Sequence, residues 1–196
     1  MTDTLLFYFK LGWAHIVSFD ALDHQLFLLA LVLPWSLSEF KKVLLLVTAF
    51  TLGHCMTLAL SGTGQVRISP ELVEFLIPLS IFITALSQFL FRQNAQSFIS
   101  LFSMAGIFGL VHGLGFANTL RMMLGKEDSL LIPLTGFNLG VEAGQVMVVA
   151  LILGLKYLLT TFFQEAEIWF NRLILFAVGV GSISLMWQRI PSGLIF

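Results

Sequence analysis

Residues 41–60 read KKVLLLVTAFTLGHCMTLAL. Behind the two lysines at its head, eighteen residues pass with no acidic or basic side chain except His54. Twenty residues of helix rise about 30 Å, the thickness of a bilayer's hydrocarbon core. The stretch therefore reads as a membrane span with a histidine inside it. An ionisable group in that setting costs roughly 2.5–3.5 kcal/mol on insertion scales, which makes His54 a functional suspect.

The rest of the chain has the same texture. Charged residues make up 11% of the 196 and hydrophobic ones 58%, with a mean hydropathy of +0.95. A soluble domain carries about 25% charged residues, so most of this surface is built to face lipid. Five further segments approach span length: Leu22–Leu37, Pro70–Phe91, Ser97–Ala117, Ser129–Leu159 and Ile168–Trp187. Turn and charge signals separate the spans at Glu39 to Lys42, Gly62 to Arg67, Arg92 to Gln96, Arg121 to Asp128 and Gln164 to Glu167. Trp35, Trp169 and Trp187 stand near segment ends, as interfacial tryptophans do. The expectation is an all-α polytopic integral membrane protein, six to seven transmembrane helices in one bundle, forming a single domain over residues 1–196.

The N-terminal segment from Thr4 to Phe19 is apolar but carries Lys10 at its middle. A full span would bring that amine near the bilayer centre. Residues 1–20 are therefore expected to form a short, re-entrant or interfacial helix, with a short span as the costlier alternative. Met1 to Thr4 lack the basic run of a secretory leader, and no cleaved signal peptide is expected. The net charge of −1, with no run of like charges, points away from nucleic acid as a partner. A single cysteine, Cys55, excludes an intramolecular disulfide. Basic residues divide evenly between the two membrane faces, so the positive-inside rule gives no orientation. Gly136, Gly140 and Gly144 recur every four residues, and Gly109 and Gly113 form a second such pair. Ridges of this kind let a neighbouring helix pack closely.

Let side B be the face from which the Pro70 segment starts. His54 lies six residues before Leu60, about 9 Å of helix from side B. Glu74 is four residues into its segment, His112 is five before Ala117, and Asp23 and His24 open the Leu22 segment. Glu142 is 13 residues into a long segment that also starts on side B, and a short loop ties His15 to Asp23. Four imidazoles and three carboxylates then share one half of the membrane. That donor set suits Ni²⁺, Co²⁺ or Zn²⁺ and disfavours Mg²⁺ and Ca²⁺.

Each member has a plainer alternative. A lone histidine can hydrogen-bond a neighbouring helix, and Glu74 in a helix's first turns suits the helix dipole. Convergence at one depth is what favours a metal. Asn138, Glu142 and Gln145, at i, i+4 and i+7, share a helix face opposite the glycine ridge. Thr51 shares a face with His54, and Thr48 follows one turn back. Asn138, Thr51 and Gln145 are expected to support the ligands from behind. Cys55 is expected to pack, with soft ligation as the alternative.

The strings HIVSFDALDHQLFLLALVL, LVTAFTLGHCMTLAL, VEFLIPLSI, FGLVHGLGFA and FNLGVEAGQ run in order from His15 to Gln145. In that order they resemble the shorter branch of the HupE/UreJ family. Family members are associated with hydrogenase and urease gene clusters and are regarded as nickel or cobalt permeases. The resemblance implies that His15, Asp23, His24 and His112 match the motif positions thought to handle metal. By the same resemblance, His54, Glu74 and Glu142 match positions typical of the shorter branch. Two residues depart from the pattern: Cys55 stands where serine is more common, and Gln88 where asparagine often occurs.

The expected function is transport of a divalent transition-metal cation, nickel first, with cobalt or zinc as alternatives. The partners are the ion as substrate and the lipid bilayer, and the expected location is a bacterial inner membrane. A permease site must strip water and still release the ion. Protonation of imidazole near pH 6.5 offers one means of release. An intramembrane zinc hydrolase is the rival, with three histidines holding zinc and Asp23, Glu74 or Glu142 as general base. A metal sensor or accessory protein is a third possibility. Against a simple permease, the other half of the membrane offers a thin lining of Ser80, Thr84, Ser87, Gln88, Ser100 and Ser103.

Overall fold

A computed structural model describes residues 2–90, 97–124, 130–162 and 167–191, and no strand occurs among them. The breaks expected at 92–96, 125–128 and 164–166, and the segment ends Phe91 and Ser129, lie outside the described residues. Seven helices follow in order among the described residues: α1 Thr2–Val17, α2 Leu22–Val32, α3 Phe40–Gly62, α4 Pro70–Leu90, α5 Phe98–Leu124, α6 Leu131–Phe162 and α7 Glu167–Gln188. Helices α3 to α7 are each long and apolar enough to cross a membrane. The chain is a polytopic, all-α integral membrane protein.

One expected span is corrected. Leu22–Leu37 is not a continuous helix, because α2 stops at Val32. Pro34 cannot continue the backbone ladder, so α2 is eleven residues long, about 16 Å. The side chain of Lys156 takes up the carbonyls this leaves. Its Nζ donates to Leu33 O at 2.8 Å and to Trp35 O at 2.9 Å, and pairs with Glu167 Oε1 at 3.0 Å. Helices α1 and α2 reach span length and hydropathy only together, bent by 59° at the break between them.

Glycine sets how α1 and α6 meet. A Cβ on Gly136 would press on Leu5 O, one on Gly140 on Phe9 O and Trp13 N, and one on Gly144 on Ile16. From α1's side, a Cβ on Gly12 would strike Phe137 O. The expected ridge therefore has α1 as its partner, and the two helices run in the same direction. From the Leu5 contact at Gly136 to the Leu33 contact at Lys156, α1 and α2 follow α6 for twenty residues, about 30 Å. The second glycine pair works likewise between α3 and α5. Cβ atoms on Gly53, Gly109 and Gly113 would meet Gly106 O, Phe50 O and His54 O.

Two apolar clusters fill the bundle. The larger joins α2 to α7 around Phe27, Leu31, Leu46, Phe50 and Ile81. The smaller joins α1 to the start of α6 around Tyr8, Ile16, Phe137 and Val141. The polar site lies between them.

Candidate metal centre

Three of the four histidines come from three different helices. His15 is two residues from the end of α1, His24 opens α2, and His54 lies on α3. One ligand atom from each falls within 4.8 Å of the others. His112, on α5, stands beside His24 with ring centroids 4.9 Å apart. His24, His54 and His112 are buried. Phe27, Phe50, Phe116 and Phe137 wall the group, with His15 4.2 Å from Phe116 and His112 5.1 Å from Phe50.

Hydrogen bonds decide which ring nitrogens are free. Asp23 Oδ1 lies 3.0 Å from His24 Nδ1 and also accepts from the His24 backbone N–H at 2.8 Å. A carboxylate only accepts, so Nδ1 carries a proton, and in the neutral imidazole the lone pair is on His24 Nε2. His112 Nδ1 donates to Phe108 O at 2.9 Å, which leaves its Nε2 free in the same way. The Nε2 atoms of all four histidines are buried with no hydrogen-bond partner among the described residues, as is His54 Nδ1. Buried polar atoms left open cost roughly 1–3 kcal/mol each. A cation could take one imidazole lone pair each from His15, His24 and His54, whose ligand atoms lie within 4.8 Å of one another. A carboxylate behind a ligating histidine is the arrangement that fixes tautomer and orientation at metal sites.

The α1–α2 break makes this geometry. It turns the chain so that His15 and His24, nine positions apart, approach to 4.7 Å between ring centroids. Backbone carbonyls exposed at such a break cost several kcal/mol each in a membrane. The amide of Gln25 offsets this, donating to the carbonyls of Ile16, Val17 and Ser18 at 3.0–3.3 Å.

A cavity of about 320 Å³ reaches the cluster from side B, where α4 starts and α7 ends. Its wall includes His15, Asp23, His24, Glu74, His112 and Arg189. Glu74 owes part of its setting to Pro78, which has no N–H to give the Glu74 carbonyl one turn back.

The family model described as HupE / UreJ protein matches residues 1–189. The chain belongs to the HupE/UreJ family. HupE/UreJ proteins are associated with nickel and cobalt transport. No curated protein and no solved structure matches this chain.

In this HupE/UreJ protein, His15, Asp23, His24, His54 and His112 come together, with Glu74 on the cavity wall. Thr48, Thr51, Glu142 and Gln145 form a second set of polar contacts between α3 and α6. Glu142 accepts from Thr48 Oγ1 at 2.7 Å, and Gln145 pairs with Thr51 Oγ1 at 2.6 Å. Asn138 Oδ1 is buried with no partner among the described residues. Cys55 stands outside the histidine group. Sequence reasoning missed Gln25, the phenylalanine walls and Arg189. Gln25 left a faint signal, an amide next to Asp23-His24 in an otherwise apolar run. Arg189 left only its place on side B, since only the fold brings the end of α7 to this cavity.

Proposed function

We propose that this HupE/UreJ protein is a permease for a divalent transition-metal cation, nickel first, with cobalt or zinc as alternatives, in a bacterial inner membrane. The supporting observation is the convergence of ligand atoms from His15, His24 and His54 to within 4.8 Å at the junction of α1 and α2. In this proposal α1 and α2 form one broken span. Broken helices put polar groups and helix ends at mid-membrane, where carriers bind their ions. His24, held by Asp23, is the fixed ligand, His15 and His54 complete a three-imidazole set, and His112 adds a fourth from α5. Glu74 at the cavity wall draws cations toward the site.

The cavity opens from one side, which also suits a zinc hydrolase. Asp23 is occupied with His24, so Glu74 would be the base in that enzyme. Binding is tested by elemental analysis of purified protein loaded with Ni²⁺, Co²⁺ or Zn²⁺. The expected result is about one ion per chain, with affinity at least tenfold weaker in His24→Ala and His54→Ala. No metal above detergent background after loading would remove both proposals.

A further inference from the structure

His54 is fully buried and does not line the side-B cavity. An ion passing it must travel on toward side A. Three and six residues back along α3, about 4.5 and 9 Å nearer that side, stand Thr51 and Thr48. Both hydroxyls reach across to α6, Thr51 to Gln145 and Thr48 to Glu142.

We propose that the metal leaves the histidine cluster along this α3–α6 contact, with the Thr51–Gln145 and Thr48–Glu142 pairs as its polar lining and Glu142 as its cation station. The route presupposes the permease function proposed above.

Two observations carry it. Glu142 lies eleven residues inside α6 and forms no ion pair among the described residues. An ionisable residue inside a membrane-spanning helix marks an ion path by default. Gln145 is completely buried, and its Nε2 has no partner among the described residues. Thr51 has one hydroxyl proton but two acceptors, Val47 O at 3.1 Å and Gln145 Oε1 at 2.6 Å. Turning the Gln145 amide over leaves the Thr51 hydroxyl a single acceptor and moves the open atom of Gln145 from Nε2 to Oε1. Its Nε2 then donates to Thr51, Thr51 donates to Val47, and Gln145 Oε1 becomes a buried open acceptor beside the path.

The alternative lining on α4 has a buried amide with an open Nε2 at Gln88 but lacks the carboxylate. Ser80, Thr84 and Ser87 donate to carbonyls of their own helix and have no carboxylate among them. Oxygen donors hold nickel or cobalt less tightly than imidazole, so the ion can move off Glu142 once it arrives.

The test compares binding with flux. Ni²⁺ binding is measured by calorimetry on monodisperse detergent-solubilised protein, and flux by radiolabelled Ni²⁺ entering proteoliposomes. Thr51→Val and Glu142→Gln should bind within about twofold of wild type yet lose at least tenfold in flux, while Thr51→Ser restores it. If wild type carries Ni²⁺ and both variants carry it equally well, the route is overturned while the permease stands. Binding lost in step with flux in folded Glu142→Gln overturns it too, by placing Glu142 in the histidine site. Wild type that binds without carrying overturns the permease and the route together.

Discussion

Asp23→Asn separates a residue that orients a ligand from one that is a ligand. Asp23 Oδ1 is bound twice by His24, through Nδ1 at 3.0 Å and the backbone N–H at 2.8 Å. Asparagine keeps the shape and an accepting oxygen but loses the charge that holds the Nδ1 proton in place. Removing such a partner behind a metal ligand typically costs 10–100-fold in affinity, about 1.4–2.8 kcal/mol. The His24 side chain is 5% exposed and that of Asp23 20%, so solvent screens the pair weakly and the upper half of that range is expected. The assay is Ni²⁺ calorimetry on Asp23→Asn, His24→Ala and the double variant. With no imidazole to orient, the Asp23 change should alter affinity by less than about twofold in the His24→Ala background, a strong coupling in the cycle. Equal losses in both backgrounds would make Asp23 an independent ligand, and no loss in either would refute the reasoning.

Packing and anchoring give further expectations. Gly140→Leu should push α1 off α6, because even its Cβ meets the α1 backbone at Phe9 and Trp13. The cost is at or above the upper end of the roughly 1–3 kcal/mol of overpacking, read as a lower thermal midpoint. Gly154→Leu, with nothing within 4 Å of its Cβ, should leave the midpoint unchanged. Lys156→Met should destabilise by about 2–6 kcal/mol, since it orphans two carbonyls at roughly 1–3 kcal/mol each. Glu167→Gln should cost no more than about 1 kcal/mol, because that carboxylate is 39% exposed, and chemical denaturation in detergent compares the two.

The helices from α3 onward are legible in the sequence because each is a long apolar run bounded by charge or turn signals, which length and hydropathy read directly. Their expected limits agree within a few residues, except that α5 continues past Ala117 to Leu124. The glycine ridge is legible for a similar reason, since a four-residue repeat fixes a helix face. Its partner is not, because no local pattern says that α1 lies there. Pro34 is the missed signal in the Leu22–Leu37 segment. A composition window averages over one proline, while the backbone cannot.

The histidines are legible as a group because ionisable residues stand out in apolar runs. Their grouping with Glu142 is harder to judge, since depth along the chain does not say which way a helix face points. The hydrogen bonds of Glu142 and Gln145 to Thr48 and Thr51 depend on the rotation of α6 against α3, a property of packing.

The central claim is that the ion bound by these histidines crosses the membrane. Radiolabelled Ni²⁺ entering sealed proteoliposomes, measured against empty vesicles, tests it most directly. The expected result is time-dependent uptake by wild type, abolished by His24→Ala and by His112→Ala at equal protein incorporation. One ion bound per chain with no uptake above the empty vesicles would contradict it and favour the zinc enzyme.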